Sequence, residues 1–497
     1  MTTPVAAREP AANAEPLKVA SRIGGSTSER GSGGTFDDVN PARPSELVAM
    51  VAACGSDEVE AAVAAAAEAA PNWAAVSPMR RAEILFAAGR LMREQAESIA
   101  QLASREMGKP IGEARGEVGA AIAFLEYFGG EATRLGGEVG GSVRDRVSLL
   151  TLREPLGVLG LITPWNFPIS IPTKKLSAAL ACGNSAVLKP ASRAPAVAAR
   201  IVELLLEAGV PEGAVNLVTG DGEAVGQALV ADRRVAAISF TGSTEVGWRT
   251  VAAASARGAG VQAEMGGKNA VVVWDDANLA RAVALIVDGA YRSAGQKCTS
   301  TSRVIVQRHI LPRFTEALVE AATSVQVGDP LAEDTFMGPL VDEAALAKSE
   351  HYVERALRDG ARLLFGGSRG NPPGFEEGYF FEPTIFADVE PAMAVAQEEI
   401  FGPVLAVLAC DTFQQALAIT NGTPYGLAAV IHTASLELAG EFVRRADVGC
   451  AGVNVTSAGW EAHAPFGGTK ASGYGIREQG PGAVDFFTRR KTVAALA

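Results

Sequence analysis

From Ser56 to about Arg134 an Ala- and Glu-rich stretch places apolar residues every three to four positions, as at Ile84, Phe86, Ala87, Leu91 and Met92. That spacing predicts helices bundled against a sheet. From Leu156 onward short apolar runs, VLGLI, SAVLK, AVNLV and AAISF, alternate with amphipathic segments at Lys174 to Ala181, Pro195 to Ala208, Ala224 to Val230 and after Thr244. Strand–helix alternation predicts a parallel sheet wrapped by helices. A second series starts near Asn269 with AVVVW and continues through SRVIVQ, RLLFGG, VLAVLAC and AAVIH, which predicts a second α/β domain. After Gly482 the segment VDFFTRRKTVAAL reads as an edge strand, with Arg489 and Arg490 on a solvated face.

Composition changes this picture little. With 497 residues, 48% hydrophobic and 20% charged, the chain is long enough for two or three packed domains. A net charge of −12 without a basic run argues against nucleic acid or an anionic membrane as partner, and any anionic small molecule must be met by a few local cations. The five cysteines lie far apart with no C-x-x-C pair, which suggests a reducing compartment and no disulfide framework. No H-E-x-x-H occurs among the scattered histidines, so no metal site is expected. The N-terminus carries Arg8, Glu9 and Glu15 and no apolar core, unlike a secretory signal; residues 1–35 read as a disordered tail and lead-in. The uncharged run from Leu156 to Thr173 contains Pro164, Pro168 and Pro172, which would break a spanning helix. The expected location is the cytoplasm.

Several segments carry candidate chemistry. AAISFTGSTEVG ends a buried strand at Phe240 and opens a helix, and Gly242 with the helix N-terminus could receive a pyrophosphate, although the G-x-G-x-x-G spacing is missing. Prolines on both sides of Trp165-Asn166-Phe167 fix an irregular loop after a strand, suited either to a plain turn or to an Asn that stabilises an oxyanion. Cys298 lies in SAGQKCTSTS beside Lys297, where a cation and a polar loop would favour a nucleophilic thiolate; a lone Cys is otherwise an inert core residue. Glu264, near Gly266 and Gly267, suits a general base or a solvated carboxylate. Gly366 to Gly370 matches G-x-S-x-G, but NPPG follows where a nucleophile elbow needs a helix, so it reads as a surface loop.

In this order PWNFP, VLKP, FTGSTEVG, EMGGKN, GQKC, EEIFGPV and PFGGTKASGYG resemble the aldehyde dehydrogenase superfamily, over about Phe36 to Ala495. The resemblance implies an α/β fold with two α/β domains, one for cofactor and one for catalysis, plus a small β oligomerisation arm. The corresponding boundaries are 36–136 with 155–268 for the NAD(P)-binding domain, 269–481 for the catalytic domain, and 137–154 with 482–497 for the arm. It implies Cys298 as nucleophile, Asn166 and the Cys298 N–H as oxyanion hole, and Glu264 as activator of the hydrolytic water. Lys175 with Glu478 matches a proton relay. Cofactor contacts carried over are Trp165, Lys189, Gly242, Ser243, Met265, Glu399 and Phe401, and Phe466 falls at a substrate-lining position. A homodimer or homotetramer is the implied assembly.

The chain departs from the common pattern after Lys189. Many NAD-preferring members carry a Glu three residues later, where this chain has Ser192 followed by Arg193, a charge balance that favours NADP over NAD. The C-terminal motifs are most similar to the α-ketoglutarate semialdehyde (2,5-dioxopentanoate) dehydrogenase group. Lys174, eight residues after Asn166, and Arg292, six before Cys298, fall where succinate semialdehyde dehydrogenases hold the substrate carboxylate; Glu461 stands where those enzymes have Ser. An anionic semialdehyde is thus the expected substrate, with succinate semialdehyde or another acidic or amino aldehyde as alternatives. A non-catalytic binding protein is disfavoured by the intact set Cys298, Glu264 and Asn166, and a thiol esterase activity could coexist.

Overall fold

Two sheets, each wrapped by helices, organise residues 15–496, the residues that the computed structural model describes. In the first, Gly260–Glu264, Val235–Thr241, Val158–Ile162, Ser185–Lys189 and Val215–Leu217 lie side by side in that order, all parallel. All of Ser185–Lys189 is buried, which explains the apolar run Ala186 to Leu188 at its centre: helices cover both faces. The second sheet runs Arg362–Phe365, Thr384–Ala387, Val404–Cys410, Thr301–Gln307, Asn269–Val273, Ala428–His432, Cys450–Val453, and only Arg362–Phe365 is antiparallel to its neighbour. The Ala-rich stretch forms four helices, Ser56–Ala75, Pro78–Glu94, Ala96–Met107 and Ile111–Ala132. Trp73 Nε1 donates to Leu180 O at 3.2 Å, fixing this layer to the end of the Ser170–Ala181 helix.

A third sheet stands apart, with Thr488–Leu496 antiparallel to Val147–Pro155 and Val139–Gly140 beside it. Its bounds differ from the predicted arm. Residues 480–486 form a short helix, Gly480–Phe486, and the strand starts only at Thr488. The apolar cluster that resembled a strand is instead a buried helical face, with Ala483, Val484 and Phe486 inside and Pro481 in the first turn.

Of residues 1–35, read as a disordered tail and lead-in, residues 1–14 lie outside the described residues, and the lead-in forms strands from Leu17 onward. Leu17–Val19 pairs in parallel with Arg43–Ala52, while Ser21–Ile23 and Ser26–Ser28 extend the edge of the first sheet. Three-residue strands show no periodicity, and these are held by distant partners such as Asn216, whose Oδ1 accepts from Gly24 N at 2.9 Å. Thr384–Ala387 and Cys450–Val453, four residues each, are likewise too short to show a periodicity. Among the described residues no helix is long and apolar enough to cross a membrane.

The first sheet sets the site. Asn166, Lys189, Gly242 and Glu264 all lie at or just beyond the carboxyl ends of neighbouring strands, where open α/β sheets place their ligands.

Candidate active site

The turn after Val235–Thr241 is built for close approach. A Cβ on Gly242 would lie 2.7 Å from the Phe240 ring, and one on Gly247 would collide with Met265. Ser243 caps the Thr244–Ala256 helix by accepting from Val246 N at 3.4 Å, and the other first-turn N–H groups remain for an anion. Lys189 ends its strand buried, and burial lowers its amine to about 8 against the opposing charge of Asp221. Ser192 Oγ donates to Gly220 O at 2.9 Å. Arg193, expected beside the cofactor, is half-exposed and pairs with Asp342 at 2.8 Å, at the cap of the Glu343–Arg358 helix.

On the other side of the cleft, Glu399 Oε1 accepts from Gly267 N at 2.9 Å, and any side chain at Gly266 would strike that carboxylate. Trp165 and Phe401 meet edge to face at 5.5 Å. A helix end open to phosphates, an amine and a carboxylate for hydroxyls, and apolar rings suit a dinucleotide. The residues therefore fit the cofactor that the motifs implied.

Cys298 follows Ser293, Ala294 and Gly295, whose φ angles of 53°, 52° and 71° form three consecutive left-handed residues. For the two that are not glycine this conformation costs on the order of 1–3 kcal/mol each and needs external support. Asn166 Nδ2 donates to Gln296 O at 2.9 Å, joining the Asn turn to the nucleophile loop, and Asn269 Nδ2 donates to Cys298 O at 2.8 Å. Asn166 keeps a second amide hydrogen. The expectation that Lys297 activates the thiol fails, because Lys297 pairs with Glu113 at 2.7 Å. Burial pushes the Cys298 thiol up to about 12, and the cation opposing this is Lys174.

Behind the thiol lies a chain of buried charges. Glu264 is 3% exposed; burial first, then the charge of Glu478, hold its carboxyl well above the usual range, while Gly468 N donates to its Oε2 at 3.2 Å. Glu478 lies between two lysines, Lys174 at 2.5 Å and Lys175 in still closer contact. Burial disfavours its charge, but the two cations prevail and hold it down at about 2. Lys175 also donates to Ser239 Oγ at 2.7 Å, and Ser239 to Gln262 Oε1 at 2.9 Å, partners the sequence did not reveal. Lys174 Nζ lies 5.2 Å from the centre of the Phe466 ring, and Cys298 packs against the cluster holding Phe466 and Cys450.

Arg292 has partners of its own. It pairs with Asp288 at 2.6 Å and covers the Phe336 ring at 4.6 Å, and no hydrogen bond or ion pair joins it to Lys174, Asn166 or Cys298. Glu461 lies 3.4 Å from His463 at the rim of a cavity also lined by Phe124, Tyr127 and Trp460. Gln479 joins that rim to the charges inside: its Nε2 donates to Glu461 O at 3.1 Å, and its Oε1 accepts from Lys174 at 3.4 Å. Ser368 of the G-x-S-x-G run is exposed and donates to Glu382 at 2.5 Å, with no helix after it.

Comparison with known proteins agrees with this geometry. The aldehyde dehydrogenase family model matches residues 28–493. The chain is 44% identical to the α-ketoglutaric semialdehyde dehydrogenase of Bacillus subtilis, over 91% of this chain and 93% of that protein. It is 41% identical to the 2,5-dioxopentanoate dehydrogenase of Saccharolobus solfataricus, over 93% of this chain and 97% of that protein. The crystal structure of betaine aldehyde dehydrogenase from Staphylococcus aureus in complex with NAD+ superposes with a TM-score of 0.94 at 31% identity, covering 97% of this chain and 95% of that one. Sheets, cleft and sequence agree, and the chain belongs to the aldehyde dehydrogenase family, as an NAD(P)-dependent enzyme that oxidises an aldehyde to the acid.

Proposed function

We propose that this enzyme oxidises an anionic semialdehyde such as 2,5-dioxopentanoate through a covalent Cys298 thioester. The observation that carries the mechanism is the bond from Asn166 to Gln296, two residues before the nucleophile, with Glu264 buried close by. The Cys298 thiol gives up its proton, the one surplus to the overall reaction, as its sulfur attacks the aldehyde carbon, and the new oxyanion accepts hydrogen bonds from the second Asn166 N–H and the Cys298 N–H. Gly242, Ser243, Met265, Lys189, Glu399, Trp165 and Phe401 would hold the nicotinamide cofactor, which would supply a hydride acceptor for that carbon. The carbonyl re-forms as a thioester. Glu264 then removes a proton from water as the water attacks; the C–S bond breaks, the acid leaves and the thiol is restored. Lys175 and Glu478 conduct the surplus proton away from the site.

The relatives named for 2,5-dioxopentanoate and α-ketoglutaric semialdehyde support the substrate class, as does a buried cation, Lys174, beside Phe466. We assign the distal carboxylate to Lys174 and Arg292. To hold it, each must exchange a protein carboxylate, Glu478 or Asp288, for that of the substrate. Lys174→Ala and Arg292→Ala are expected to lose about ten- to hundredfold in kcat/KM toward 2,5-dioxopentanoate and succinate semialdehyde, the worth of one charge-assisted hydrogen bond at roughly 1.5–3 kcal/mol. Because Lys174 also favours the thiolate, its loss will slow neutral aldehydes somewhat; the excess loss for acidic ones is the readout. Equal losses on acidic and uncharged aldehydes of similar length would sink the carboxylate assignment.

NADP is the preferred cofactor on this proposal, since Ser192 leaves no carboxylate to repel a 2′-phosphate near Lys189, whereas Arg193 is committed to Asp342. Ser192→Glu should move preference toward NAD; an unchanged ratio of the two specificity constants would place discrimination elsewhere. The assembly we assign is a homodimer or homotetramer formed through the three-stranded arm, where Val139 and Leu496 are exposed. Five unpaired cysteines suit the cytoplasm, the location we assign.

A further inference from the structure

The Ile111–Ala132 helix carries two carboxylates one turn apart, a largely enclosed Glu113 and a buried Glu117, and neither belongs to the chemistry described above. We propose that Glu113 is a positioning residue for the nucleophile and that, with Glu117, it ties the Cys298 loop and the Asn166 turn to a single helix; the proposal rests on the thioester mechanism just given.

Glu113 supports the strained segment directly. Its Oε1 accepts from Ser293 N at 2.7 Å, and its Oε2 accepts from Ser293 Oγ at 2.9 Å and from Lys297 Nζ at 2.7 Å. One carboxylate thus holds the first left-handed residue of the loop and the residue before the nucleophile. It also neutralises the Lys297 ammonium, whose side chain is 9% exposed. Burial opposes the Glu113 charge, but Lys297 and Lys109 outweigh it and keep the carboxyl below its usual range.

Glu117 does the same for the other half of the site. Its Oε1 accepts from Ile169 N at 2.9 Å, from Ser170 N at 2.8 Å and from Ser170 Oγ at 3.2 Å, capping the helix that bears Lys174 and Lys175. Its other oxygen pairs with Lys109, whose ammonium lies 4.2 Å from the Phe167 ring, next to Asn166. Cys298 and Asn166 lie on loops next to strands of different sheets, and this helix is bonded to both loops. A helix with ordinary surface glutamates at this spacing would leave them solvated; here both are enclosed and fully partnered.

Glu113→Gln keeps an acceptor for Ser293 and removes the charge that answers Lys297. Cys298 is the one partly exposed cysteine of the five, so its alkylation by iodoacetamide can be followed in the protein without aldehyde or cofactor, with the site confirmed by peptide mass. At fixed, mildly alkaline pH the alkylation rate is expected to rise about tenfold, the effect of one pKa unit, because the unpaired ammonium favours the thiolate. The single-turnover burst of reduced cofactor should nonetheless slow by about tenfold or more, through lost alignment, with the KM for cofactor nearly unchanged. Glu113→Asp, which restores charge but not reach, should return the alkylation rate to native while the burst stays slow. Adding Lys297→Met to Glu113→Gln should do likewise. Native alkylation and a native burst in Glu113→Gln would overturn the proposal, as would a lowered melting temperature and weaker cofactor binding with unchanged alkylation. Absence of a burst in the native enzyme would instead count against the thioester mechanism, and alkylation would still decide the role of Glu113.

Discussion

Cys298→Ala is expected to lower aldehyde oxidation by at least about 10⁴-fold, because it removes the atom that bonds to substrate and leaves no covalent route to the acid. Cofactor affinity should stay within a few-fold of native, since the carried-over contacts at Gly242, Lys189 and Glu399 lie on other elements. The substitution deletes only a sulfur from a residue that packs beside Phe466 and Cys450, so folding should survive. Cys54, Cys182, Cys410 and Cys450 are buried and cannot substitute for it. Steady-state reduction of cofactor by a purified Cys298→Ala protein checks this, and turnover above a hundredth of native would remove the thiol from the mechanism.

Glu264→Gln should separate the two halves of the reaction. Hydride transfer precedes the water step, so a burst of about one equivalent of reduced cofactor is expected at near-native rate, followed by a steady state slower by roughly 10²–10⁴-fold, the usual worth of a general base. Gln can still accept the Gly468 N–H, which keeps the local backbone in place. The pH dependence follows from the direction of the shift. A base acts only when deprotonated, and burial and Glu478 raise the Glu264 carboxyl, so the deacylation rate of the native enzyme should climb with pH through a midpoint above the ordinary carboxylate range. Glu478→Gln removes a negative neighbour and frees two cations, so that midpoint should move to lower pH. A midpoint that stays put, or a Glu264→Gln variant without the burst, would assign deacylation to another group.

Much of the α/β plan was legible because buried parallel strands leave short apolar runs such as AVL in SAVLK and the whole of VLAVLAC, and because Gly242 and the prolines around Asn166 mark turns in local sequence. What escaped was fixed by distant partners. Leu17–Val19 and Ser21–Ile23 are strands only because Arg43–Ala52 and Val215–Leu217 are there to pair with them. Lys297 looked like the activator of its neighbour, yet adjacency in sequence does not set direction in space, and its ammonium turns to Glu113. Lys174 is the reverse case: a cation 124 positions from Cys298 in sequence is the one that opposes the effect of burial on the thiol. Glu113 and Glu117 were invisible for the same reason, since an Ala- and Glu-rich helix reads as a solvated surface until its burial is known.

The central claim is that an acyl group passes through the Cys298 sulfur, and it is tested most directly on the variant expected to trap it. Glu264→Gln, mixed with cofactor and 2,5-dioxopentanoate and quenched in acid within the burst, should show by peptide mass spectrometry the thioester of 2-oxoglutarate on the peptide containing Cys298, in an amount equal to the reduced cofactor formed. An unmodified Cys298 alongside a full equivalent of reduced cofactor, or the acyl group on another residue, would contradict it.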